Sequence, residues 1–281
     1  MKFKVGTRPL TQKLGPESKI LVFTPCFPSE PRIYPEAMDS ILGLKWPDRI
    51  EFLQRDGEWY EFPAWVEWLL EDPDSIRRKL AIAEQYERMR QHVLDGDYDA
   101  VLTVEADNIV PEDAVHRLVQ CDADIAYGTY VLRSGLARWN VHTVVTPDEG
   151  LSISEDPEYE GKLHGVVDVQ GAGLGCTLIK REVLERISFV AGKSGCDWHL
   201  AYAARMEGFT QRADLDLMCG HRTNIPSPRI LWPLAESQFK MSINFLDDSW
   251  YTRDEDGNMQ VIVDGFYSTL APIGGSYELL G

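Results

Sequence analysis

The stretch from residue 98 to residue 113 constrains the fold of this chain more than any other part of the sequence. Ala100–Val104 is a nearly continuous apolar run rich in β-branched residues, which is typical of a strand buried on both faces of a parallel sheet. Glu105 and Asp107 follow the run directly, and Pro111 suits the first position of a helix. Because ligands in open α/β sheets bind beyond the carboxyl ends of the strands, the two carboxylates form a candidate site for a divalent cation and the phosphates it carries.

An acid-x-acid triplet is a weak indication by itself, because the chain has 45 acidic residues. Three other triplets have the same form: Asp97-Tyr98-Asp99, Asp122-Ala123-Asp124 and Asp214-Leu215-Asp216. Most such triplets are solvated turns. The triplet Glu105-Ala106-Asp107 differs in its context, since an uninterrupted apolar strand precedes it and a helix start follows it. This context favours it as the functional triplet.

The net charge of −17 at neutral pH argues against nucleic acid as a partner. Proteins that bind a nucleic-acid backbone neutralise its phosphates with Lys and Arg, and this chain has 28 of those against 45 acidic residues. Hydrophobic residues make up 44% of the chain and charged residues 26%, as in ordinary soluble globular proteins. A chain of 281 residues can bury a large core as one α/β domain or as two joined halves.

The five cysteines are scattered, and no two of them form a Cys-x-x-Cys pair. This pattern favours reduced thiols over a disulfide framework or a zinc site. The sequence shows neither a secretion signal at its N-terminus nor an apolar run of membrane-spanning length. We therefore expect a soluble cytoplasmic protein without a membrane span.

The first part of the chain has the element order of a nucleotide-binding α/β half. Residues 19–23 and 49–53 have the pattern of buried strands, and residues 34–44 between them are predicted to form a helix. Thr24-Pro25 follows the first strand and Asp56-Gly57 follows the second. These segments therefore lie at the carboxyl ends of their strands, where ligands bind.

The segments around and after the central strand alternate between helix and strand. Residues 58–70 are rich in aromatic side chains, which either stack on a base or a sugar or pack as a cover over the sheet. Residues 73–94 have the apolar spacing of an amphipathic helix. Beyond the central strand, residues 124–132 and 166–169 are predicted strands, and residues 139–153 are a predicted hairpin.

A glycine-rich stretch follows the strand at residues 166–169. It contains Gly171, Gly173 and Gly175, and the third glycine falls one residue too early for a dinucleotide-binding fingerprint. Glycines at this spacing let the backbone approach a ligand closely or relieve crowding in a bent strand. Both interpretations stay open from the residues alone.

Two further candidate residues lie in the second half of the chain. Asp197 is at the start of a helix that ends at Gly208, where an acid also has a structural role as a cap or first-turn residue. His221 follows a predicted strand at residues 213–218, and from there it can reach a metal held by Asp107.

Taken in order, these residues resemble a GT-A glycosyltransferase over residues 19–222. The resemblance rests on Thr24-Pro25, Asp56-Gly57, the stretch 98–111, the Gly171-x-Gly-x-Gly-Cys pattern, Cys196-Asp197-Trp198, Gly208 and His221. It implies an α/β fold with a GT-A-like, mostly parallel central sheet flanked by helices and a smaller antiparallel sheet on the acceptor side. It also implies one domain over residues 1–281, with a nucleotide-sugar half at 19–133 and an acceptor half at 134–281.

The same resemblance implies transfer of a sugar from a UDP- or GDP-sugar donor to a hydroxyl acceptor, which would be a sugar, a small molecule or a modified polymer. Asp107 matches the direct metal ligand of the DXD motif, and His221 matches the later histidine that completes the site. A carboxylate and imidazole set favours Mn²⁺ over Mg²⁺. The implied donor-binding residues are Thr24, Pro25, Asp56, Glu105, Ala106, Asp107, Gly171, Gly173 and Arg222.

The chain departs from the family pattern at two positions. The first acid of the metal motif is Glu105, whose longer side chain reaches the metal, a metal-bound water or the ribose. The family's Glu-Asp pair is Cys196-Asp197 here, so Asp197 is the only candidate general base. If the enzyme retains the anomeric configuration, Asp197 only positions the acceptor. Arg222 and Arg229, in the predicted loop after His221, are candidate donors to the diphosphate, with surface arginines as the alternative.

Two other functional classes remain open from the sequence. A nucleotidyltransferase that makes sugar nucleotides usually has a basic, glycine-rich loop after its first strand, whereas residues 24–31 contain three prolines and no glycine, Lys or Arg. A non-catalytic carbohydrate-binding protein would keep the aromatic segment without a metal site. Residues 223–281 have no counterpart in the resemblance, and we expect an acceptor cover or a homo-oligomer contact there. Within them, residues 254–258 are predicted to form a hairpin turn between the segments 250–251 and 260–263.

Overall fold

The computed structural model describes residues 11–26, 33–46, 50–56, 73–133, 138–146, 150–191, 195–224, 228–234, 241–246, 251–253, 259–263, 266–273 and 276–279. The aromatic segment 58–70 and the predicted turn residues 147–149 and 254–258 lie outside this description. Within the described ranges, no helix combines the length and the apolar character that a membrane-spanning segment needs.

The described elements include the helices and strands predicted from the sequence, together with strands that were not predicted, such as those at residues 176–180 and 220–223. The helices are α1 (Pro35–Leu42), α2 (Pro73–Asp95), α3 (Ala114–Gln120), α4 (Arg181–Arg186) and α5 (Cys196–Glu207). The strands are β1 (Ile20–Cys26), β2 (Ile50–Asp56), β3 (Ala100–Val104), β4 (Asn108–Ile109), β5 (Ile125–Thr129), β6 (Val141–Val145), β7 (Gly150–Ser152), β8 (Val166–Asp168), β9 (Gly171–Ala172), β10 (Cys176–Lys180), β11 (Gln211–Met218), β12 (Gly220–Thr223), β13 (Arg229–Pro233), β14 (Met241–Phe245), β15 (Tyr251–Arg253), β16 (Met259–Val263), β17 (Phe266–Ile273) and β18 (Ser276–Leu279).

The central sheet contains seven strands in the order β2-β1-β3-β10-β5-β11-β8. β1 is parallel to β2 and to β3, and β5 is parallel to β11. β10 is antiparallel to both of its neighbours, and β8 is antiparallel to β11. The sheet is therefore mixed, and the expected parallel character is only partial. A parallel neighbour needs a long crossover, usually a helix, whereas β10 is entered from the short glycine turn after β9.

Helices cover both faces of the central sheet, as the apolar runs predict. Along β1, Leu21 and Phe23 pack in the core cluster that contains residues of α2. Ile20 and Val22 point to the opposite face and pack with residues of α1 and α3. This alternation is the two-residue period of a strand, and it explains why a strand buried on both sides is apolar throughout. All five residues of β3 are buried as well.

The antiparallel part of the structure is larger than expected. One sheet of three strands has the order β7-β6-β9, and another of eight strands has the order β15-β16-β17-β18-β14-β13-β12-β4. The residues without a counterpart in the resemblance supply six strands of the larger sheet, β13 to β18. The predicted hairpin in this region is confirmed, since Tyr251 pairs with Val261 in β15 and β16.

The helix after the acidic triplet begins later than the sequence predicts. α3 begins at Ala114 with Asp113 as its N-cap residue. Pro111 lies in the preceding turn, where its carbonyl accepts from the Ala114 N–H at 3.0 Å. The reason is the short strand β4, which pairs with β12 immediately after the triplet. The chain has to leave this pairing through a turn before a helix can begin.

The three other acidic triplets contain carboxylates with structural partners. Asp99 Oδ2 accepts from the Lys19 backbone N–H at 2.8 Å, and Asp214 binds the Arg117 guanidinium with both oxygens at 2.7 and 2.8 Å. Asp124 is fully buried and accepts from the backbone N–H and the hydroxyl of Thr210 at 2.7 and 2.8 Å. These carboxylates tie together parts of the fold, which leaves the triplet after β3 as the functional candidate.

Replacing Asp124 with alanine is expected to lower the free energy of unfolding by about 3 kcal/mol, since removing one member of a buried charged network leaves its partners unpaired. One of those partners is Lys180, whose side chain is 7% exposed. The control is Asp168→Ala, which removes an 83% exposed carboxylate from Arg212 and should cost less than about 0.5 kcal/mol. Urea unfolding measures both values, and equal losses would contradict a special role for Asp124.

Candidate functional site

The triplet Glu105-Ala106-Asp107 lies in a turn at the carboxyl end of β3, between β3 and β4. The Glu105 N–H donates to the carbonyl of Gly175 at 3.2 Å, which joins the turn to the glycine stretch. The Ala106 carbonyl accepts from the Tyr34 N–H at 3.0 Å, next to the start of α1. Backbone bonds from two distant segments therefore fix the position of the acidic turn.

The pairing of β4 with β12 brings His221 to this turn. In the register of this pair, His221 lies opposite Asn108, the residue after Asp107. The Arg222 N–H donates to the Asp107 carbonyl at 2.7 Å. Two residues that are more than one hundred positions apart in the sequence thus become neighbours through ladder hydrogen bonds, and the predicted proximity of Asp107 and His221 is present in the structure.

The imidazole of His221 is held in one tautomer. Its Nδ1 lies 2.7 Å from the carbonyl oxygen of Val131, and because a carbonyl can only accept, Nδ1 carries the proton. Burial, and then the positive charge of Arg133, lower the pKa of His221 to about 4, so the ring is neutral at physiological pH. Its Nε2 lies 3.6 Å from Asp107 Oδ2. Two acceptors at this separation without a proton between them suit a cation that binds both.

A guanidinium already contacts this carboxylate. Nη2 of Arg133 forms an ion pair with Asp107 Oδ2, the same oxygen that lies near His221, and also donates to the Arg222 carbonyl at 3.2 Å. The Arg133 side chain is 48% exposed, whereas that of Asp107 is 18% exposed. No sequence pattern indicated Arg133, because it lies beyond the strand β5 and contacts the acidic turn only in the folded chain.

The protein alone supplies only part of a metal coordination shell. Among the described residues, no group of three or more His, Cys, Asp or Glu side chains is placed to hold a metal ion. The proposed ligand Glu105 therefore does not complete a set with Asp107 and His221 in this structure. Mg²⁺ and Mn²⁺ sites in nucleotide-binding enzymes often take few protein ligands, with water and phosphate oxygens supplying the rest.

Glu105 and Asp197 interact electrostatically in the same region. Burial and then the negative charge of Asp197 raise the pKa of Glu105 to about 7, while Arg133 opposes the shift. Burial also raises the pKa of Asp197, against hydrogen bonds from backbone N–H groups and the charge of Lys79. Burial thus raises the pKa of both carboxylates, and the charge of Asp197 adds to the shift of Glu105.

Asp197 lies in the first turn of α5, after the N-cap residue Gly195. Its Oδ1 accepts from the Trp198 N–H at 2.8 Å, which satisfies one of the free N–H groups at the helix start. Gly195 has φ of +102°, and a Cβ there would lie 2.5 Å from Asp197 Oδ1. The glycine is therefore required both by its backbone conformation and by the space that the carboxylate occupies.

The glycine stretch is explained by packing within the protein. A Cβ on Gly175 would lie 2.5 Å from Asn108 Nδ2 and 2.8 Å from the ring of Tyr130, and a Cβ on Gly173 would meet the Tyr130 hydroxyl. A Cβ on Gly171 would meet the Ala201 side chain of α5. Of the two interpretations open from the sequence, the structure shows the relief of crowding, and a role for Gly171 and Gly173 in donor binding stays a prediction.

The first strands place the predicted nucleoside contacts at the same sheet edge as the triplet. Phe23 of β1 pairs with Thr103 of β3, so Thr24 and Pro25 follow alongside the end of β3. Asp56 ends β2, opposite Cys26 in the register. Thr24 is fully buried, and its hydroxyl has no hydrogen-bond partner among the described residues.

Arg222 and Arg229 lie in the strands β12 and β13 instead of an exposed loop. The Arg222 side chain is only 11% exposed; it lies 3.3 Å from Glu36 and 4.2 Å from the ring centre of Tyr34. Arg229 is buried. The alternative of two exposed surface arginines is thus wrong, because the antiparallel pairing continues where the sequence suggested a loop. A contact of Arg222 with the diphosphate stays a prediction.

The solved structures that are similar to this chain include the following two. The crystal structure of A197 from STIV is similar over 84% of this chain and 99% of that chain, with 21% sequence identity and a TM-score of 0.53. The likeness to A197 shows a shared fold. The mannosyltransferase PcManGT from Pyrobaculum calidifontis, in complex with GDP-Man and Mn²⁺, is similar over 75% of this chain and 57% of that chain, with 18% identity and a TM-score of 0.41, which is too distant to support a conclusion. No family model and no curated protein matches the sequence.

We expect His221 to keep the neutral Nδ1–H tautomer from neutral pH down to about pH 5 and to titrate at a pKa of about 4. The reason is the burial of the ring, together with the charge of Arg133. Long-range ¹H–¹⁵N NMR spectra of the imidazole measure both tautomer and pKa. The same ring in urea-unfolded protein should titrate at about 6.5, and a folded-state midpoint at that value would contradict the account.

Proposed function

We propose that this protein is a metal-dependent glycosyltransferase, which moves a sugar from a UDP- or GDP-sugar to a hydroxyl acceptor. The observation that carries the proposal is the pair of acceptors at the end of β3, Asp107 Oδ2 and His221 Nε2, which lie 3.6 Å apart around a position fit for a cation. Ligand sites in α/β sheets lie at this edge. The remaining coordination positions are left for water and the donor's phosphate oxygens.

Asp107 and His221 fit Mn²⁺ or Mg²⁺ as a resident metal, with the imidazole favouring Mn²⁺. When bound, the ion would stabilise negative charge on the diphosphate that leaves the donor. His221 contributes a fixed lone pair, because its Nδ1–H is held by the Val131 carbonyl at 2.7 Å. In this proposal Thr24, Pro25 and Asp56 contact the nucleoside, since they lie at the ends of the adjacent strands.

Asp197 has the role of general base in this proposal. As the acceptor oxygen forms a bond to the anomeric carbon, its hydroxyl proton moves to the Asp197 carboxylate and the bond from that carbon to the diphosphate breaks. Asp197 sits at the start of α5, where the backbone N–H of Trp198 holds one carboxylate oxygen at 2.8 Å. This bond leaves the second oxygen for the acceptor hydroxyl, and it orients the carboxylate before the acceptor binds.

Asp107→Asn is expected to remove the stabilisation that Mn²⁺ and a nucleotide give together. Ligands at a hundred times their Kd stabilise a protein by about 2.7 kcal/mol, which for this chain length is a rise in Tm of about 5–10 °C. The measurement is thermal unfolding with Mn²⁺ and UDP or GDP, compared with each alone. The control is Asp216→Asn, which alters another carboxylate next to an imidazole, His164 at 2.9 Å, on the protein surface.

Loss of the shift in the Asp107 variant alone would support the site. Equal shifts in both variants and the unaltered protein would show that the nucleotide and metal bind elsewhere. A panel of UDP-, GDP- and dTDP-sugars, tested for turnover with and without Mn²⁺, then identifies the donor and distinguishes an enzyme from a carbohydrate-binding protein.

Asp197→Asn is expected to slow sugar transfer by about 10²–10⁴-fold, the usual contribution of a general base. The Asn side chain can still accept from the Trp198 N–H, so folding, metal binding and donor binding should be unchanged. Turnover with the donor found in the panel and thermal unfolding measure the two effects separately. Near-normal transfer by this variant would reduce Asp197 to a structural residue and indicate a retaining reaction.

A further inference from the structure

Arg133 is positioned by the same backbone segment that fixes His221. The Val131 carbonyl holds the His221 ring, and Val131 forms an isolated bridge with Trp139. The next residue, Leu132, donates its N–H to the Arg138 carbonyl at 2.7 Å. The chain immediately before Arg133 is therefore anchored, while the long side chain beyond it reaches across to the acidic turn.

One carboxylate oxygen of the acidic turn lies near two different side chains. Asp107 Oδ2 forms the ion pair with Arg133 Nη2, and the same oxygen lies 3.6 Å from His221 Nε2. A metal ion bound by this oxygen and this nitrogen would carry positive charge where the guanidinium now supplies it. A metal ion and a guanidinium in contact with the same carboxylate oxygen would repel each other. Metal and Arg133 therefore compete for Asp107 Oδ2.

We propose that Arg133 is an exchangeable internal cation, which neutralises Asp107 before the metal binds and then transfers its guanidinium to a phosphate oxygen of the nucleotide. This inference rests on the metal-dependent function proposed above. It adds a nucleotide-binding residue that the sequence did not indicate. It also predicts that metal and nucleotide bind cooperatively. The metal frees the Arg133 side chain from Asp107, and the nucleotide then binds that side chain.

The structure shows why this ion pair can exchange while another cannot. Arg117 binds Asp214 with two parallel hydrogen bonds of 2.7 and 2.8 Å, and the Asp214 side chain is only 7% exposed. Arg133 forms its ion pair with Asp107 through Nη2, and both members are more exposed, at 48% for Arg133 and 18% for Asp107 against 30% for Arg117 and 7% for Asp214. Ion pairs weaken as their exposure to solvent rises, and a guanidinium has the planar geometry that binds phosphate oxygens in pairs.

The first test is the affinity for Mn²⁺ alone, measured by isothermal titration calorimetry and by the EPR signal of free Mn²⁺. Arg133→Gln is expected to bind Mn²⁺ about 2–5-fold more tightly, since the competing ion pair is gone. Arg133→Lys keeps the charge and should remain near the wild-type value. The matched control is Arg138→Gln, which removes a 39% exposed arginine of the same segment from Glu155 and should change nothing.

The second test is the affinity for GDP and for UDP at saturating Mn²⁺. Arg133→Gln is expected to weaken the binding of whichever nucleotide binds by about tenfold, the effect of one lost charged hydrogen bond. Arg138→Gln should again match the wild type. Tighter Mn²⁺ binding combined with weaker nucleotide binding in the Arg133→Gln variant alone is the result that supports the exchange.

Two results would overturn the inference in different ways. If Mn²⁺ binds the wild type but its affinity or that of the nucleotide is unchanged in Arg133→Gln, the exchange is wrong and the proposed function stands. If neither the wild type nor the variant binds Mn²⁺, with or without nucleotide, the metal-dependent function falls together with the exchange.

Discussion

The pairing of the two-residue strand β4 with β12 is the interaction on which the candidate site depends. Its hydrogen bonds place Arg222 against the backbone of Asp107 and His221 opposite Asn108. Without this ladder, only the end of β11 and the Val131 carbonyl would position the imidazole relative to the carboxylate at the end of β3. The pairing also joins the central sheet to the eight-stranded antiparallel sheet, so the larger sheet acts as a support for the site.

Electrostatics explain why this place is suited to a cation. Asp107, Glu105 and Asp197 bring acidic groups into a partly buried region, and the raised pKa of Glu105, about 7, reflects burial and the charge of Asp197. The neutral imidazole of His221 adds a lone pair and no charge. Such a collection of acceptors is stabilised by positive charge, which the protein supplies through the half-exposed side chain of Arg133.

The sequence predicted correctly those elements whose formation depends on residues close together in the chain. The apolar run of β3 and the acids after it, the helix α2 and the glycine that ends α5 are set by neighbouring residues. The direction of β10, the β4–β12 pairing and the contact between Arg133 and Asp107 depend on residues far apart in the chain. No periodicity encodes such contacts. His221 was found only because it follows a strand, and the carbonyl that fixes its tautomer could not have been predicted.

The proposed function depends on one metal ion bound between Asp107 and His221. The most direct measurement is anomalous diffraction at the manganese edge from crystals grown with Mn²⁺ and the nucleotide that stabilises the protein. We expect an anomalous peak in contact with Asp107 Oδ2 and His221 Nε2, with the Arg133 side chain displaced from the carboxylate. A peak at another place, or none at saturating Mn²⁺ with Arg133 still paired to Asp107, would contradict it.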